Sequence, residues 1–200
     1  MFTKHQFLEP LARLRTDQIV ITTMGVVRPW ARYSEHALDF ASADSAMGHA
    51  ADFALGIALA QPSRQVICLN GDGSMLMTLG TLVTIASSGV KNLILFVVQN
   101  GTYEVTGNQL TPGSDRVDFS GLAKSAGFPR AYTFDDAQAY ECSLEEILSG
   151  DGPVCVTVKT EPGSEGPLGR RPDEPAHYLR CSLADSARQL RGALLDRGAD

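Results

Sequence analysis

Short apolar runs alternate along the chain with segments whose apolar residues recur at helical spacing. The apolar runs predict β-strands over residues 17–23, 65–69, 93–98, 130–134 and 153–159. The periodic segments predict helices over residues 6–16, 47–60, 74–88 and 135–148, and one or two helices over residues 177–197. One more short helix is predicted after Asp118. This alternation predicts an α/β fold, a doubly wound parallel sheet with helices on both faces.

Two segments depart from the alternation. Residues 26–40 have no clean period, and Pro29 is expected to break any helix that begins there. Residues 161–175 are rich in Gly, Pro and charge, which indicates a linker or lid. We therefore predict one domain over residues 1–160, with residues 161–200 forming a linker and a helical extension of the same domain.

Composition excludes several classes of protein. A length of 200 residues with 44% hydrophobic residues suits one well-packed domain, and a net charge of −6 argues against a nucleic-acid surface. No apolar run is long enough for a membrane span, and the N-terminus has no signal-peptide core. The four cysteines are scattered, unlike the ligands of zinc or iron–sulfur sites, so we expect reduced thiols in a cytoplasmic protein.

The most informative stretch is the turn Gly71-Asp72-Gly73-Ser74, between a predicted strand and a predicted helix that Ser74 can cap. Glycines allow backbone N–H groups to approach a ligand closely, and the helix N-terminus favours an anion. Asp72 adds a hard oxygen ligand suited to Mg²⁺. Asn100 ends the next predicted strand, so both side chains are expected at the same carboxyl edge of the sheet.

These residues resemble a known signature. The turn at residues 71–74, followed about 30 residues later by Asn100, is similar to the "GDG…NN" motif of thiamine-diphosphate (ThDP) enzymes. The resemblance implies that Asp72, the Asn100 side chain and the Thr102 carbonyl hold Mg²⁺ against the diphosphate. Gln99 stands where the first Asn of the pair is usual, but that position does not bind the metal.

The resemblance also implies further contacts to the cofactor. Segment 45–48 is similar to the "G-x-M-G" segment of ThDP enzymes, whose backbone grips the aminopyrimidine ring, although a serine replaces the first glycine. The implied cofactor-binding residues are Ser45, Met47, Gly71, Gly73, Ser74, Asn100 and Tyr103. Glu104 and His49 are the candidate catalytic residues. The alternative for Glu104 is a solvated loop carboxylate, and the alternative for His49 is a structural role.

The loop over residues 100–109 resembles that of sulfopyruvate and phosphonopyruvate decarboxylases, as do segments 47–50 and 168–172. In such enzymes a glutamate from a pyrimidine-binding domain activates the cofactor, and 200 residues have room for the diphosphate-binding half alone. The resemblance thus implies the β-type subunit of a split 2-oxo acid decarboxylase. Its partner, a separate pyrimidine-domain subunit in a hetero-oligomer, would supply the glutamate and share the active site.

Several alternatives stay open at this point. The enzyme can instead be a carboligase of the acetolactate synthase kind, or the chain can be a non-catalytic scaffold with a ThDP fold. A ferredoxin-dependent oxidoreductase would need a cluster-type cysteine set, and a dinucleotide-binding domain would need Gly-x-Gly-x-x-Gly after its first strand. The candidate ligands for a second anionic group on the substrate are Arg28, Arg32, His36 and Arg170. Arg170 and Arg171 are also candidates for binding an anion in the linker, and ordinary surface charges are the alternative for all of them.

Overall fold

Six parallel strands form a single sheet at the centre of the protein. The computed structural model describes residues 1–42 and 47–195. Its strands are β1 (Ile19–Thr22), β2 (Asp39–Ala41), β3 (Val66–Gly71), β4 (Leu93–Gln99), β5 (Thr102–Tyr103), β6 (Gln109–Leu110), β7 (Arg130–Phe134) and β8 (Val154–Lys159). The sheet order is β2-β1-β3-β4-β8-β7, and β5 pairs with β6 in a separate antiparallel hairpin.

Helices cover both faces of the sheet. They are α1 (Lys4–Leu14), α2 (Val27–Ala31), α3 (Ala50–Ala60), α4 (Asp72–Met77), α5 (Gly80–Ser87), α6 (Phe119–Ala126), α7 (Ala137–Ser149) and α8 (Leu183–Leu195). Side chains of α1, α2 and α7 form the core on one face, and those of α3, α5, α6 and α8 form the core on the other. The predicted doubly wound α/β fold is confirmed. None of the helices among the described residues is long and apolar enough to cross a membrane.

Residues 26–40 contain more structure than predicted. They form α2 and the edge strand β2, where no element was expected. Pro29 is tolerated because it lies in the first turn of α2, where a backbone N–H has no partner within the helix. The three residues of β2 are too few to show a period in the sequence.

Several other predicted elements differ in their bounds. In the terminal segment predicted over residues 177–197, a short 3₁₀ helix covers His177–Leu179 and the α-helix begins only at Leu183. The helix predicted from residue 47 begins at Ala50. The helix predicted over residues 74–88 is two helices, because the backbone leaves the helical region at Thr78, with φ −140° and ψ 47°. The loop predicted after Asn100 contains the hairpin of β5 and β6. By contrast, the predicted cap at Asp118 is confirmed, since its side chain accepts a hydrogen bond from the Gly121 N–H.

Residues 161–182, which we call the strap, run back across the sheet edge from β8. Arg28 of α2 forms an ion pair with Glu174 of the strap, whose side chain is 3% exposed. The hydrogen bond from Arg28 lowers the pKa of the Glu174 carboxyl. Beyond the strap, Leu190 of α8 packs into the core. The boundary at residue 160 stays a prediction.

Candidate functional site

The candidate site lies where β3 and β4 end side by side. Their parallel register pairs Gly71 with Val98, so Asp72 and Asn100 leave the sheet at neighbouring positions. The Asp72 carboxylate joins the two strand ends, because Oδ2 accepts a hydrogen bond from the Gly101 N–H at 2.7 Å. Its Oδ1 accepts one from the Gly73 N–H at 2.8 Å. The sequence correctly predicts this placement at one carboxyl edge.

Asp72 is almost fully buried, with 3% of its surface exposed. Burial raises the pKa of its carboxyl, and the hydrogen bonds from the Gly101 and Gly73 backbone act in the opposite direction. A buried carboxylate is costly unless a cation or hydrogen-bond donors compensate for its lost hydration. Asp72 is therefore a carboxylate that a bound cation would stabilise.

Ser74 has a different role from the predicted cap. Helix α4 begins two residues earlier, at Asp72, and has no side-chain cap. The Ser74 hydroxyl oxygen instead accepts a hydrogen bond from the Gly48 N–H at 2.9 Å. Thr78, which the sequence analysis missed, donates its hydroxyl to the Gly48 carbonyl. These two hydroxyls fix the segment that carries Met47 against α4.

The Tyr103 ring lies directly over Gly73. A Cβ atom at position 73 would lie 2.6 Å from Tyr103 Cε1 and 2.8 Å from Cδ1, closer than van der Waals contact allows. Gly73 is thus required by the close approach of this ring. By contrast, a Cβ at Gly80 in α5 would have no neighbour within 4 Å.

We expect Gly73→Ala to displace the Tyr103 ring and to lower the free energy of unfolding by about 1–3 kcal/mol, the usual cost of overpacking. Gly80→Ala is the matched control and should raise stability by about 0.4–1 kcal/mol, because alanine has less conformational freedom than glycine in the unfolded chain. Urea unfolding of the two variants measures the difference. Equal stability of both variants would show that the ring moves aside at no cost.

One cavity brings most of the predicted site residues together. Its lining includes Met47, Gly71, Asp72, Gly73, Ser74, Asn100, Thr102, Tyr103 and Glu104. Ser45 lies outside the described residues. His49 does not line the cavity: its side chain is 59% exposed and its Nδ1 lies 2.8 Å from Asp52 Oδ2. The structure thus gathers the predicted residues of both strand ends but not His49.

Glu104 is not a solvated loop carboxylate. Its side chain is 3% exposed and forms an ion pair with Lys4 from the first turn of α1. Lys4 Nζ also donates to the Gly25 carbonyl at 2.9 Å. The sequence analysis missed Lys4. The pair Thr3 and Gln6 signals a helix start at this point, but no local signal shows that the lysine reaches the site.

The predicted anion-binding arginines are engaged elsewhere, and none of them lines the cavity. Arg28 donates to Glu174 and to the carbonyls of Gly166 and Pro167. Arg32 pairs with Glu165.

The other candidate residues are also engaged in contacts. Arg170 donates to backbone carbonyls, and Arg171 lies 3.8 Å from Glu174. The His36 ring accepts from the Leu38 N–H at 3.0 Å. The arginines bind the strap and the edge of the sheet, and His36 contacts its own loop, so the expectation that these residues face a substrate is not supported.

The donor set at the cavity fits a hard divalent cation. The lining includes Asp72, Asn100 and Thr102, which carry carboxylate, amide and backbone carbonyl oxygens, the kinds of ligand that such a cation takes. The described residues contain no cluster of three or more His, Cys, Asp or Glu side chains that could hold a metal. A cation here would thus complete its coordination with oxygens of a ligand, as Mg²⁺ does with phosphates.

Comparison with known proteins agrees with this arrangement. The model of the family "Thiamine pyrophosphate enzyme, C-terminal TPP binding domain" matches residues 21–158, so the chain belongs to this family. The resemblance to ThDP enzymes is thereby confirmed.

Two relatives with named activities show which ThDP enzymes this chain is similar to. The chain is 35% identical over 165 residues to sulfopyruvate decarboxylase subunit beta of Methanothermobacter thermautotrophicus, covering 82% of this chain and 85% of that protein. It is 38% identical over 135 residues to phosphonopyruvate decarboxylase of Streptomyces viridochromogenes, covering 68% of this chain. The chain spans only 34% of the latter protein.

A solved structure shows the same fold. The ThDP-dependent 4-hydroxybenzoylformate decarboxylase of Rhodococcus jostii RHA1 superimposes with a TM-score of 0.68 at 23% identity. The match covers 82% of this chain and 33% of that protein.

Proposed function

We propose that this chain is the diphosphate-binding subunit of a ThDP- and Mg²⁺-dependent 2-oxo acid decarboxylase. The observation that carries the proposal is the shared cavity at the carboxyl edge, whose lining includes Asp72, Asn100 and Thr102. The similarity over most of the length of a sulfopyruvate decarboxylase β subunit supports the reaction class. The substrate would be a 2-oxo acid of the sulfopyruvate or phosphonopyruvate kind, and the products CO₂ and an aldehyde.

In this proposal, the side chains of Asp72 and Asn100 and the carbonyl of Thr102 bind Mg²⁺. The glycines at positions 71 and 73 leave room for the diphosphate. Met47 and Tyr103, which also line the cavity, would contact the rings of the cofactor. When bound, ThDP supplies a thiazolium that accepts the electron pair released as CO₂ leaves the substrate. The chain itself orients the diphosphate and closes one side of the cavity to water.

The activating glutamate would come from a partner subunit. Among the described residues that line the cavity, only Asp72 and Glu104 are carboxylates. Asp72 is assigned to the cation, and Glu104 is paired with Lys4. Neither is free to hydrogen-bond an aminopyrimidine ring. We therefore propose a hetero-oligomer with a pyrimidine-domain subunit, located in the cytoplasm, where the four free cysteines suit a reducing environment.

The test is to purify this chain alone and together with a co-expressed pyrimidine-domain subunit. Calorimetry measures Mg²⁺-dependent ThDP binding, and a coupled assay measures CO₂ release from sulfopyruvate and phosphonopyruvate. We expect turnover only from the complex. Turnover by the isolated chain would contradict an active site shared with a partner. Cofactor binding by the complex without CO₂ release would favour the carboligase alternative, which an assay with an aldehyde acceptor tests. If the complex binds no ThDP, the result would favour the alternative that this chain is a non-catalytic scaffold with a ThDP fold.

A further inference from the structure

The Glu104 carboxylate is surrounded by hydrogen-bond donors from three separate parts of the chain. Its Oε2 accepts from Lys4 Nζ and from Asn100 Nδ2, the latter at 2.9 Å. Its Oε1 accepts from the Glu165 backbone N–H of the strap at 3.0 Å. An ionised carboxylate has about four acceptor positions, so most of them are already used.

The bond to Asn100 fixes the orientation of that side-chain amide. With Nδ2 held by Glu104, the oxygen Oδ1 accepts from the Thr102 N–H at 3.0 Å. A rotation of the amide by half a turn would bring Oδ1 against a carboxylate oxygen and Nδ2 against a backbone N–H. Both contacts would be repulsive, because they would pair acceptor with acceptor and donor with donor. Glu104 therefore selects one of the two amide orientations.

The selected orientation aligns the two candidate cation ligands. Gly101 and Thr102 are consecutive residues, and their N–H groups donate to Asp72 Oδ2 and Asn100 Oδ1 respectively. The same short turn thus holds an oxygen of each ligand in place. Removing a group that orients a metal ligand in this way typically costs about 10- to 100-fold in metal affinity or activity.

We propose that Glu104 is a positioning residue for the cation ligand Asn100, and that it is not an acid–base group in the reaction. This inference rests on the proposed function, since it takes Asn100 as a ligand of the cation. Lys4 balances the buried charge of Glu104, and the strap closes its other side. The candidate catalytic carboxylate of the sequence analysis then acts through Asn100 without contacting substrate.

The test measures cation affinity separately from turnover. Mn²⁺ serves as the probe, and free Mn²⁺ is measured by electron paramagnetic resonance in the complex with its partner at saturating ThDP. Glu104→Leu removes every acceptor and should weaken Mn²⁺ binding about 10- to 100-fold. Glu104→Gln keeps one acceptor oxygen for Asn100, so it should restore most of the affinity. In both variants, saturating Mn²⁺ should return kcat to near the wild-type value.

Glu141→Gln is the matched control, because its ion pair with Arg13 lies on the surface, with side chains that are 49% and 61% exposed. It should leave Mn²⁺ affinity within about twofold of wild type. A double-mutant cycle with Asn100→Ala completes the design. If Glu104 acts through Asn100, Glu104→Leu should have little further effect on affinity in that background.

Three results would overturn the inference. Wild-type Mn²⁺ affinity in Glu104→Gln together with a lost kcat would make Glu104 an acid–base group. A full loss of affinity on adding Glu104→Leu to Asn100→Ala would show that Glu104 does not act through Asn100. Absence of Mn²⁺ binding by the wild-type complex would overturn the proposed function as well. The first two results would overturn only the positioning role of Glu104, so the two kinds of failure can be told apart. Glu104→Gln, which retains the side-chain shape, keeps the test informative if Glu104→Leu does not fold.

Discussion

Asp72→Asn should abolish cation-dependent ThDP binding while the protein keeps its fold. The substitution removes the one charged protein ligand of the proposed Mg²⁺ site, and the number of charged ligands is one of the properties that set affinity for hard divalent cations. Loss of groups that merely orient metal ligands already weakens binding about 10- to 100-fold, so we expect a loss of more than about 100-fold here. Calorimetric titration of ThDP at fixed Mg²⁺ measures it.

The fold should survive because two effects of this substitution oppose each other. An Asn amide nitrogen would face the N–H of either Gly101 or Gly73, which leaves one backbone donor without its acceptor at a cost of about 1–3 kcal/mol. The same substitution removes a buried carboxylate. Burial raises the pKa of the Asp72 carboxyl, which means that its charged form destabilises the fold when no cation is bound. The net change is small beside a domain stability of about 5–15 kcal/mol.

Asp118→Asn is the control for this experiment. Asp118 caps α6 from a position outside the cavity, and Asn caps helices about as well as Asp does. Its ThDP affinity and its urea midpoint should both match those of the wild type. If Asp72→Asn bound ThDP and Mg²⁺ normally, the cation site would have to lie elsewhere.

The position of the site could be predicted because it depends on topology and on short motifs. Parallel neighbouring strands bring their carboxyl ends together, so a turn motif after β3 and an Asn after β4 must meet at one edge. Asp72 and Asn100 each lie within three residues of the end of a short apolar run that forms a strand. No information about distant parts of the chain is needed for that step.

Ser74 shows where such local reasoning fails. A serine after Gly-Asp-Gly is a good candidate for a helix cap, but α4 already begins at Asp72. Ser74 is then inside the first turn, and its hydroxyl is used for the Gly48 backbone, 26 residues away in sequence. The starting residue of a helix depends on packing that the local sequence does not encode.

Charged residues were harder to place for a related reason. The sequence identifies Arg28 and Glu104 as ionisable, but not their partners, which lie 146 and 100 residues away in sequence. A long side chain reaches whichever opposite charge the fold brings near it, and this depends on the complete tertiary structure. Hence Arg28, a candidate for binding an anionic substrate, binds the strap instead. Glu104, a candidate catalytic residue with a solvated loop carboxylate as the alternative, is buried in an ion pair with Lys4.

Lys4→Met should be the most destabilising single substitution at the site. It leaves the Glu104 carboxylate buried, with 3% exposure, and without its cation. Removing one partner of a buried ion pair costs about 3–5 kcal/mol, and the 10% exposure of Lys4 places the expected loss near the lower end. For a chain of this size, a loss of about 3 kcal/mol lowers the melting temperature by about 6–12 °C.

A second substitution tests the cause of this loss. In the double variant Lys4→Met with Glu104→Gln, no uncompensated charge is buried, so most of the lost stability should return. Arg13→Met is the surface control: its partner Glu141 is half-exposed, and its removal should cost less than about 1 kcal/mol. Urea unfolding of the four proteins gives the comparison. If the double variant were less stable than Lys4→Met, the lysine would stabilise the fold by packing of its methylene chain, and its charge would not be the cause.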